Sequence, residues 1–370
     1  MDKKKILIVS RSFYPSISPR SFRTTELAKE FALQGHEVTV LTPKEDKFHL
    51  AFEAEHKLTI RNLGTPRWKS PDFGSSKIGY FLTRVFYRLL SLSMEFPDIE
   101  LMFLTAKALR KERDYDLLIS IAVPYPIHWG VAKAWKKNQR IAKTWVADCG
   151  DPYVGCTTDS FRKWFYWGWV EKWFMRKADY ITIPVESART AYFPEFHSKI
   201  KIISQGFKMD TPTDKTFTPN SIPTFAYAGG FIPGIRDPRA FLDYLCTLND
   251  DFRFYIYTNN RPLVESYQSE LKDKLIVSDF IPRTELLQKL SSMDFLVNFD
   301  NNTGTAVPSK LIDYVIMDRP VLNITKDLDA ANIQRFLQGD YSGEMILPDI
   351  DRYRIENVCN AFLNLHHGKY

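Results

Sequence analysis

The strongest constraint on the fold is an alternation of short apolar runs with amphipathic stretches that starts at residue 6 and recurs almost to the end of the chain. Ile6–Ser10 is a β-branched run of the kind that forms a buried parallel strand. Phe22, Leu27 and Phe31 then share one side of a predicted helix that Gly35 ends, and Glu37–Thr42 is a second strand stopped by Pro43. A strand, a helix and a strand in so short a span form a βαβ unit, which implies a parallel sheet. The alternation continues with strands at Tyr115–Ser120, Ile141–Ala147, Tyr180–Pro184 and Lys201–Ser204, and with helices over 126–138 and 161–177. Residues 210–222 lack periodicity and are rich in Thr, Pro and Asn, so they read as a linker. A second series follows, with strands at Thr224–Ala228, Phe252–Tyr257, Leu275–Ser278, Asp294–Asn298 and Pro320–Ile324. Its predicted helices are 238–248, 261–272, 283–291, 308–317 and 350–366. The expected fold class is α/β, with two doubly wound parallel-sheet domains in tandem.

With 370 residues the chain has room for about two domains of roughly 150 residues each. Its net charge of +6 is unevenly spread. Residues 1–210 hold 34 Lys and Arg against 23 Asp and Glu, and the remainder holds 16 against 21. A basic half beside an acidic half points to an anionic partner for the first: anionic lipid, a phosphate-bearing acceptor or nucleic acid. No helix-turn-helix, RRM or zinc pattern accompanies the basic residues, so nucleic acid is disfavoured. The four cysteines, Cys149, Cys156, Cys246 and Cys359, contain no C-x-x-C pair, so neither a metal site nor a disulfide framework is expected. The apolar run at Ile6–Val9 is too short for a signal peptide, and no stretch is long enough to span a membrane. A cytoplasmic location is expected, peripheral on the inner face of the cell membrane.

Four segments carry candidate chemistry. The loop after the first strand holds Arg11, Ser12, Tyr14, Ser18, Arg20 and Arg23, where ligands of open α/β sheets bind. Three arginines there suit an anionic or polyhydroxyl ligand, against the plainer reading of a solvated basic loop. No G-x-G-x-x-G fingerprint is present, which disfavours NAD. Second, Asp148 and Asp151 in Ala147–Tyr153 follow directly on a strand, where carboxylates orient hydroxyls or act as a base, or else cap a turn. Third, Gly229 and Gly230 allow close approach of a ligand to backbone, and Arg236 can fork onto a phosphate. The fourth and most specific is Thr305–Tyr314, reading Thr-Ala-Val-Pro-Ser-Lys-Leu-Ile-Asp-Tyr. Pro308 and Ser309 suit a helix start, whose exposed N–H groups and positive dipole end attract a diphosphate. Lys310 adds a point charge there, and Asp313, one turn on, can accept from ribose hydroxyls. Phe280 and Ile281, just after the strand at 275–278, complete the candidate donor-binding set.

This fourth segment resembles the donor site of GT-B glycosyltransferases of the GT4 type, which often read Pro-Ser-Lys-Leu-x-Glu-Tyr and then Pro-Val-Leu, as Pro320-Val321-Leu322 does here. The opening Ile6–Val9 through Gly35–Val40 resembles that family's first βαβ unit, and Ala147–Tyr153 resembles an Asp-Phe-Arg-Asp-Pro-Trp motif of some members. Lys177–Ile181 resembles the helix-to-strand step before its hinge. The resemblance implies two Rossmann-like domains facing across a cleft, a nucleotide-diphosphate-sugar donor, a retaining mechanism, and no metal or other cofactor. The expected boundaries are an acceptor domain over 1–209, a donor domain over 210–350, and a C-terminal helix in 351–370 packing back on the first. The implied activity is hexosyl or related transfer to a glycan or lipid-linked acceptor, in surface polysaccharide or glycolipid synthesis. Asp148, Asp151, Arg236 and Lys310 are the catalytic candidates. Ser18, Arg20 and Arg23 would bind acceptor with the two aspartates.

The sequence also departs from the family pattern. Thr305 stands at the first position of the acidic pair, Asp313 is one methylene short at the second, and Gly230 and Gly150 stand where cationic side chains are usual. Ser16–Ser21 replaces a glycine-rich acceptor loop. A GT-B nucleotide-sugar epimerase and an inactive nucleotide-sugar-binding scaffold therefore stay open as alternatives. Finally, Leu82, Val85, Phe86 and Leu89 share a helix face beside Arg84 and Arg88, and 161–177 interleaves aromatics with cations, a pattern suited to an anionic lipid interface.

Overall fold

The computed structural model of the chain describes residues 2–69, 77–136, 140–156, 161–209, 217–300, 309–347 and 351–368. They fall into two compact units, Met1–Lys208 with Asp351–Tyr370, and Met209–Ile350.

The first unit is built on seven parallel strands: β1 (Lys5–Ser10), β2 (Glu37–Thr42), β3 (Thr59–Asn62), β4 (Tyr115–Ala122), β5 (Ala142–Cys149), β6 (Tyr180–Ile183) and β7 (Ile200–Ile202). Their order is β3-β2-β1-β4-β5-β6-β7, so the direction of winding reverses between β1 and β4. The helices are α1 (Pro19–Leu33), α2 (Asp46–His56), α3 (Lys77–Met94), α4 (Glu100–Ala108), α5 (Pro126–Ala134) and α6 (Trp167–Lys177). Both faces of the sheet are covered. Leu7, Val9 and Leu118 pack toward α4, α5 and α6, while Ile6, Ile8, Leu117 and Ile119 pack toward α1 and the chain's last helix (Ile355–His366). Burial on both faces explains why β1 and β4 read as continuous apolar runs and not as alternating ones.

That last helix buries Ile355, Val358, Cys359 and Phe362 in the core of the first unit, beside Phe31 and Ile203. The outgoing and returning chain segments are hydrogen-bonded to each other there. Phe207 N donates to Tyr353 O at 2.8 Å, and Ile355 N donates to Phe207 O at 3.0 Å.

The second unit has five parallel strands: β8 (Thr224–Ala228), β9 (Arg253–Tyr257), β10 (Leu275–Ser278), β11 (Phe295–Phe299) and β12 (Val321–Ile324), in the order β10-β9-β8-β11-β12. Its helices are α7 (Arg239–Cys246), α8 (Gln268–Leu271), α9 (Arg283–Ser291), α10 (Ser309–Met317) and α11 (Ala330–Leu337); the last helix of the chain is α12. Phe225, Phe254 and Phe295 stack across three adjacent strands, with centroids 4.8 and 4.5 Å apart. The helix predicted over 261–272 is instead two 3-10 turns followed by α8, and Lys272 then turns left-handed at φ 50°. Because every strand is parallel, the loops after all five C-terminal ends gather on one edge, with the first turns of α7, α9 and α10.

Candidate functional site

In the first unit the residues after β1 and β5 converge. Ser18 caps α1, its hydroxyl accepting from Ser21 N at 3.1 Å, with Pro19 in the first turn. Arg23 lies one turn inside α1 and is buried. Its Nε and Nη2 fork onto the Asp148 carboxylate at 3.1 and 3.0 Å, and its Nη1 donates to Ser204 O at 2.5 Å. Thr182 Oγ1 donates to the same carboxylate at 2.7 Å. Burial alone would raise the Asp148 carboxyl, but the Arg23 charge and fork outweigh it and hold it below the usual carboxylate range. Arg23 and Asp148, expected to meet an acceptor, are thus engaged with each other, tying α1 to β5, to Thr182 on β6 and to the chain leaving β7.

Arg20 is placed differently. It is half-buried, and a Cβ at Gly150 would lie 1.9 Å from its Cζ, so the guanidinium occupies the space that a side chain at 150 would fill. Among the described residues its guanidinium donates no hydrogen bond and forms no ion pair, although its charge is felt at Asp148. Asp151 is exposed, and its backbone carbonyl accepts from Tyr125 Oη at 2.6 Å. The turn beyond is held from below by buried Glu171 of α6, whose Oε2 accepts from Val154 N at 3.2 Å. Burial pushes that carboxyl up to about 7. Nothing in the sequence spacing signals this link, because Glu171 sits among aromatics and cations where an acid reads as surface.

In the second unit the turn after β8 is pinned at several points. Gly229 N donates to Tyr257 O at 3.0 Å, Tyr227 Oη to Gly230 O at 3.0 Å, and Phe231 N to Asn260 Oδ1 at 3.1 Å. Gly230 faces Asn260 and Asn259, and Gly234 turns left-handed at φ 75°, where its N–H donates to Asp237 Oδ2 at 3.0 Å. The hydrogen-bonded Arg239 guanidinium holds the Asp237 carboxyl well below the usual range. Arg236 closes this hairpin through Ile232 N, which donates to its carbonyl at 3.1 Å; its guanidinium lies against the Tyr227 hydroxyl, while its buried Nε has no partner among the described residues. A hollow of about 440 Å³ opens beside the hairpin at the ends of β11 and β12, lined by Gly234, Asp237, Arg239, Asp300 and Lys326.

Thr305 and Pro308 lie outside the described residues; Ser309 and Lys310 form the first turn of α10. The helix is locked to the sheet by Tyr314, whose buried Oη donates to Val297 O at 3.0 Å and accepts from Ala228 N at 3.2 Å. Asp313, one turn in, accepts from Nε and Nη2 of Arg283 at 3.0 and 2.7 Å, both on Oδ1. Burial raises its carboxyl and Arg283 offsets that only in part. Arg283 opens α9 close behind Phe280, which is half-exposed. Arg283 and Asn260 give no signal in the sequence, since their partners lie 30 and 29 residues away, and Tyr314 reads there only as the end of the 305–314 motif, its partner lying 17 residues away. Among the described residues no cluster of His, Cys, Asp and Glu could hold a metal ion.

Two doubly wound parallel sheets, one carrying a helix start, a pinned Gly-Gly turn and an arginine at its C-terminal strand edge, are the α/β architecture of GT-B glycosyltransferases. Solved structures share it over nearly the whole chain. A glycosyltransferase from Rickettsia africae ESF-5 superposes with TM-score 0.63 at 10% identity, covering 100% of this chain and 99% of that one. The lipopolysaccharide outer core galactosyltransferase WaaB, in its apo form, gives 0.56 at 12%, covering 99% and 100%. Anabaena Alr3699/HepE in complex with UDP-glucose gives 0.53 at 9%, covering 99% and 100%. At such identities the likeness is one of fold. No curated protein matches the chain in sequence. The Glycosyltransferase Family 4 model matches residues 22–210, 189 of the 370, and the chain belongs to that family.

Proposed function

We propose that this family 4 glycosyltransferase moves a hexosyl or related sugar, with retention, from a nucleotide-diphosphate donor to a glycan or lipid-linked acceptor in surface polysaccharide or glycolipid synthesis. The observation that carries the donor reading is the edge of the second sheet. There, Arg236, whose buried Nε has no partner among the described residues, the Gly229–Gly230 turn and the start of α10 all belong to loops on one side. As the bond from the anomeric carbon to the diphosphate oxygen breaks, the leaving group gains charge, and Arg236, Lys310 and the amides of the first turn of α10 stabilise it. Asp313, steadied by Arg283, accepts from the ribose, and Phe280 and Ile281 flank the nucleotide. The complex of Anabaena HepE with UDP-glucose and the galactosyltransferase WaaB support a nucleotide-sugar donor.

On the acceptor side, Ser18, Arg20 and Asp151 meet the acceptor, and Arg23 with Asp148 holds the floor on which they stand. Arg20 supplies a cation in the space left by Gly150, which favours an active enzyme over an inactive scaffold. The setting is cytoplasmic and membrane-peripheral, where lipid-linked acceptors are presented.

A thermal-shift panel of UDP-, GDP- and ADP-sugars tests the reading, since a ligand that binds only the folded state raises the transition by mass action. One nucleotide family should stabilise the protein and support transfer. Donor-only turnover to an epimer would move the assignment to an epimerase, and no stabilisation by any donor would overturn it.

A further inference from the structure

The first unit turns a set of large apolar side chains outward in one place. On α3, Phe81 is 64% exposed and Phe86 63%, with Leu89 also exposed. Phe165 is 79% exposed and Trp169 68%, and the two form an edge-to-face pair with centroids 5.6 Å apart. The two elements are one surface. Tyr166 Oη donates to Ser93 O, Trp167 Nε1 donates to Leu92 O at 2.7 Å, and the Arg88 guanidinium lies 5.1 Å from the centre of the Phe161 ring.

The charge around this patch is mainly basic among the described residues. Helix α3 contains no acidic residue, and exposed Arg84 and Arg162 flank the aromatics. Among the described residues the acids nearby are engaged or buried: Glu95 accepts from Lys163 Nζ at 2.6 Å, Glu195 from Lys172 Nζ at 2.9 Å, and Glu171 is inside; Asp72 and Asp159 lie outside the described residues. Among the described residues no helix is long and apolar enough to cross a membrane, so an attachment here lies in the interface plane. A soluble protein exposes so contiguous an apolar patch where something covers it. Aromatic rings with an apolar body, rimmed by cations, fit the headgroup level of an anionic bilayer. A second copy of the chain fits worse, because a self-complementary pairing would bring the arginine rims together.

We propose that this face, formed by α3 and residues 161–169, docks the protein on an anionic lipid bilayer. The glycosyl-transfer reading concerns other residues, so docking stands or falls separately from it. Docking bears on transfer because the turn after Asp151 hangs from the same elements, through Glu171 of α6 and through Tyr153 Oη, which donates to Glu95 at 2.8 Å.

The test is co-sedimentation of the full chain with phosphatidylcholine vesicles and with vesicles containing about one-third phosphatidylglycerol, where each cation near an anionic surface favours binding. Binding should require the anionic lipid and be released by high salt. Arg84→Glu/Arg162→Glu should weaken it by about 30-fold or more. Phe165→Ser/Trp169→Ser should abolish it while leaving circular dichroism and stabilisation by the nucleotide-sugar donor unchanged. Equal binding to neutral and anionic vesicles, or unchanged binding by both variants, would overturn the proposal. So would a lipid-free, concentration-dependent dimer that the same substitutions dissolve. Lost donor stabilisation in the wild type would count against the donor site alone.

Discussion

Replacing Asp148 by Ala should unfold the first unit far more readily. The carboxylate receives three hydrogen bonds, two from Arg23 and one from Thr182, and both partners of the ion pair are buried. After the substitution the Arg23 guanidinium keeps only backbone acceptors at Ser204 and Ile203 and becomes an uncompensated charge in the core. Breaking one side of such a pair costs about 3–5 kcal/mol. For a unit of this size that is roughly 6–20 °C in transition temperature. Asp148→Asn should cost nearly as much, since it keeps the volume and removes the charge. Arg23→Met/Asp148→Leu should cost less than the two single changes together, because it removes both charges. The pH dependence follows from the direction of the shift. A carboxyl held below its ordinary range contributes stability above its unfolded pKa, and that stability drains away as pH falls through the folded value. Asp148→Asn should flatten that acid limb. Denaturant unfolding followed by tryptophan fluorescence reads all of this, with an unchanged m-value confirming like transitions. If Asp148→Ala lost under about 1 kcal/mol yet abolished transfer, the carboxylate would be a solvent-open catalytic group and the structural argument would fail.

Glu171 predicts the opposite slope. Its carboxyl is raised from 4.5 to about 7, so its contribution is full below the unfolded value and lost as pH rises through about 7. Glu171→Gln should remove that loss, up to about 3 kcal/mol at pH 8, and unfolding at pH 5 and 8 checks it. Gly150→Ala would place a Cβ 1.9 Å from Arg20 Cζ and must displace the guanidinium. The expected result is a raised KM for the acceptor with donor stabilisation intact, and an unchanged acceptor KM would remove Arg20 from that site.

The sheet strands were legible because turn residues bracket apolar runs; β8, β10 and α9 lie where the sequence puts them. The segment from 46 to 108 was not, apart from the middle of α3. There α2 buries only His49 and Phe52, too few to show a helical period, and β3 is four residues long. The stretch over 261–272 mimics a helix because Val264 and Leu271 are buried seven residues apart, but Pro262 and left-handed Lys272 break it into turns. In the candidate site, residue type showed which groups could meet an anion, and only geometry showed which were already engaged. Arg20 and Arg23 look alike in sequence, yet one turn of helix puts Arg23 inside against Asp148 and leaves Arg20 over Gly150.

The proposed function places a donor diphosphate on the first turn of α10 beside Arg236. Calorimetric titration of the full chain with UDP, GDP and ADP, in wild type, Lys310→Ala and Arg236→Ala, tests this placement. One nucleotide should bind the wild type, and each substitution should weaken it about 10- to 150-fold, the worth of a charge-assisted hydrogen bond. Equal affinity in all three proteins, or no binding of any nucleotide to the wild type, would contradict it.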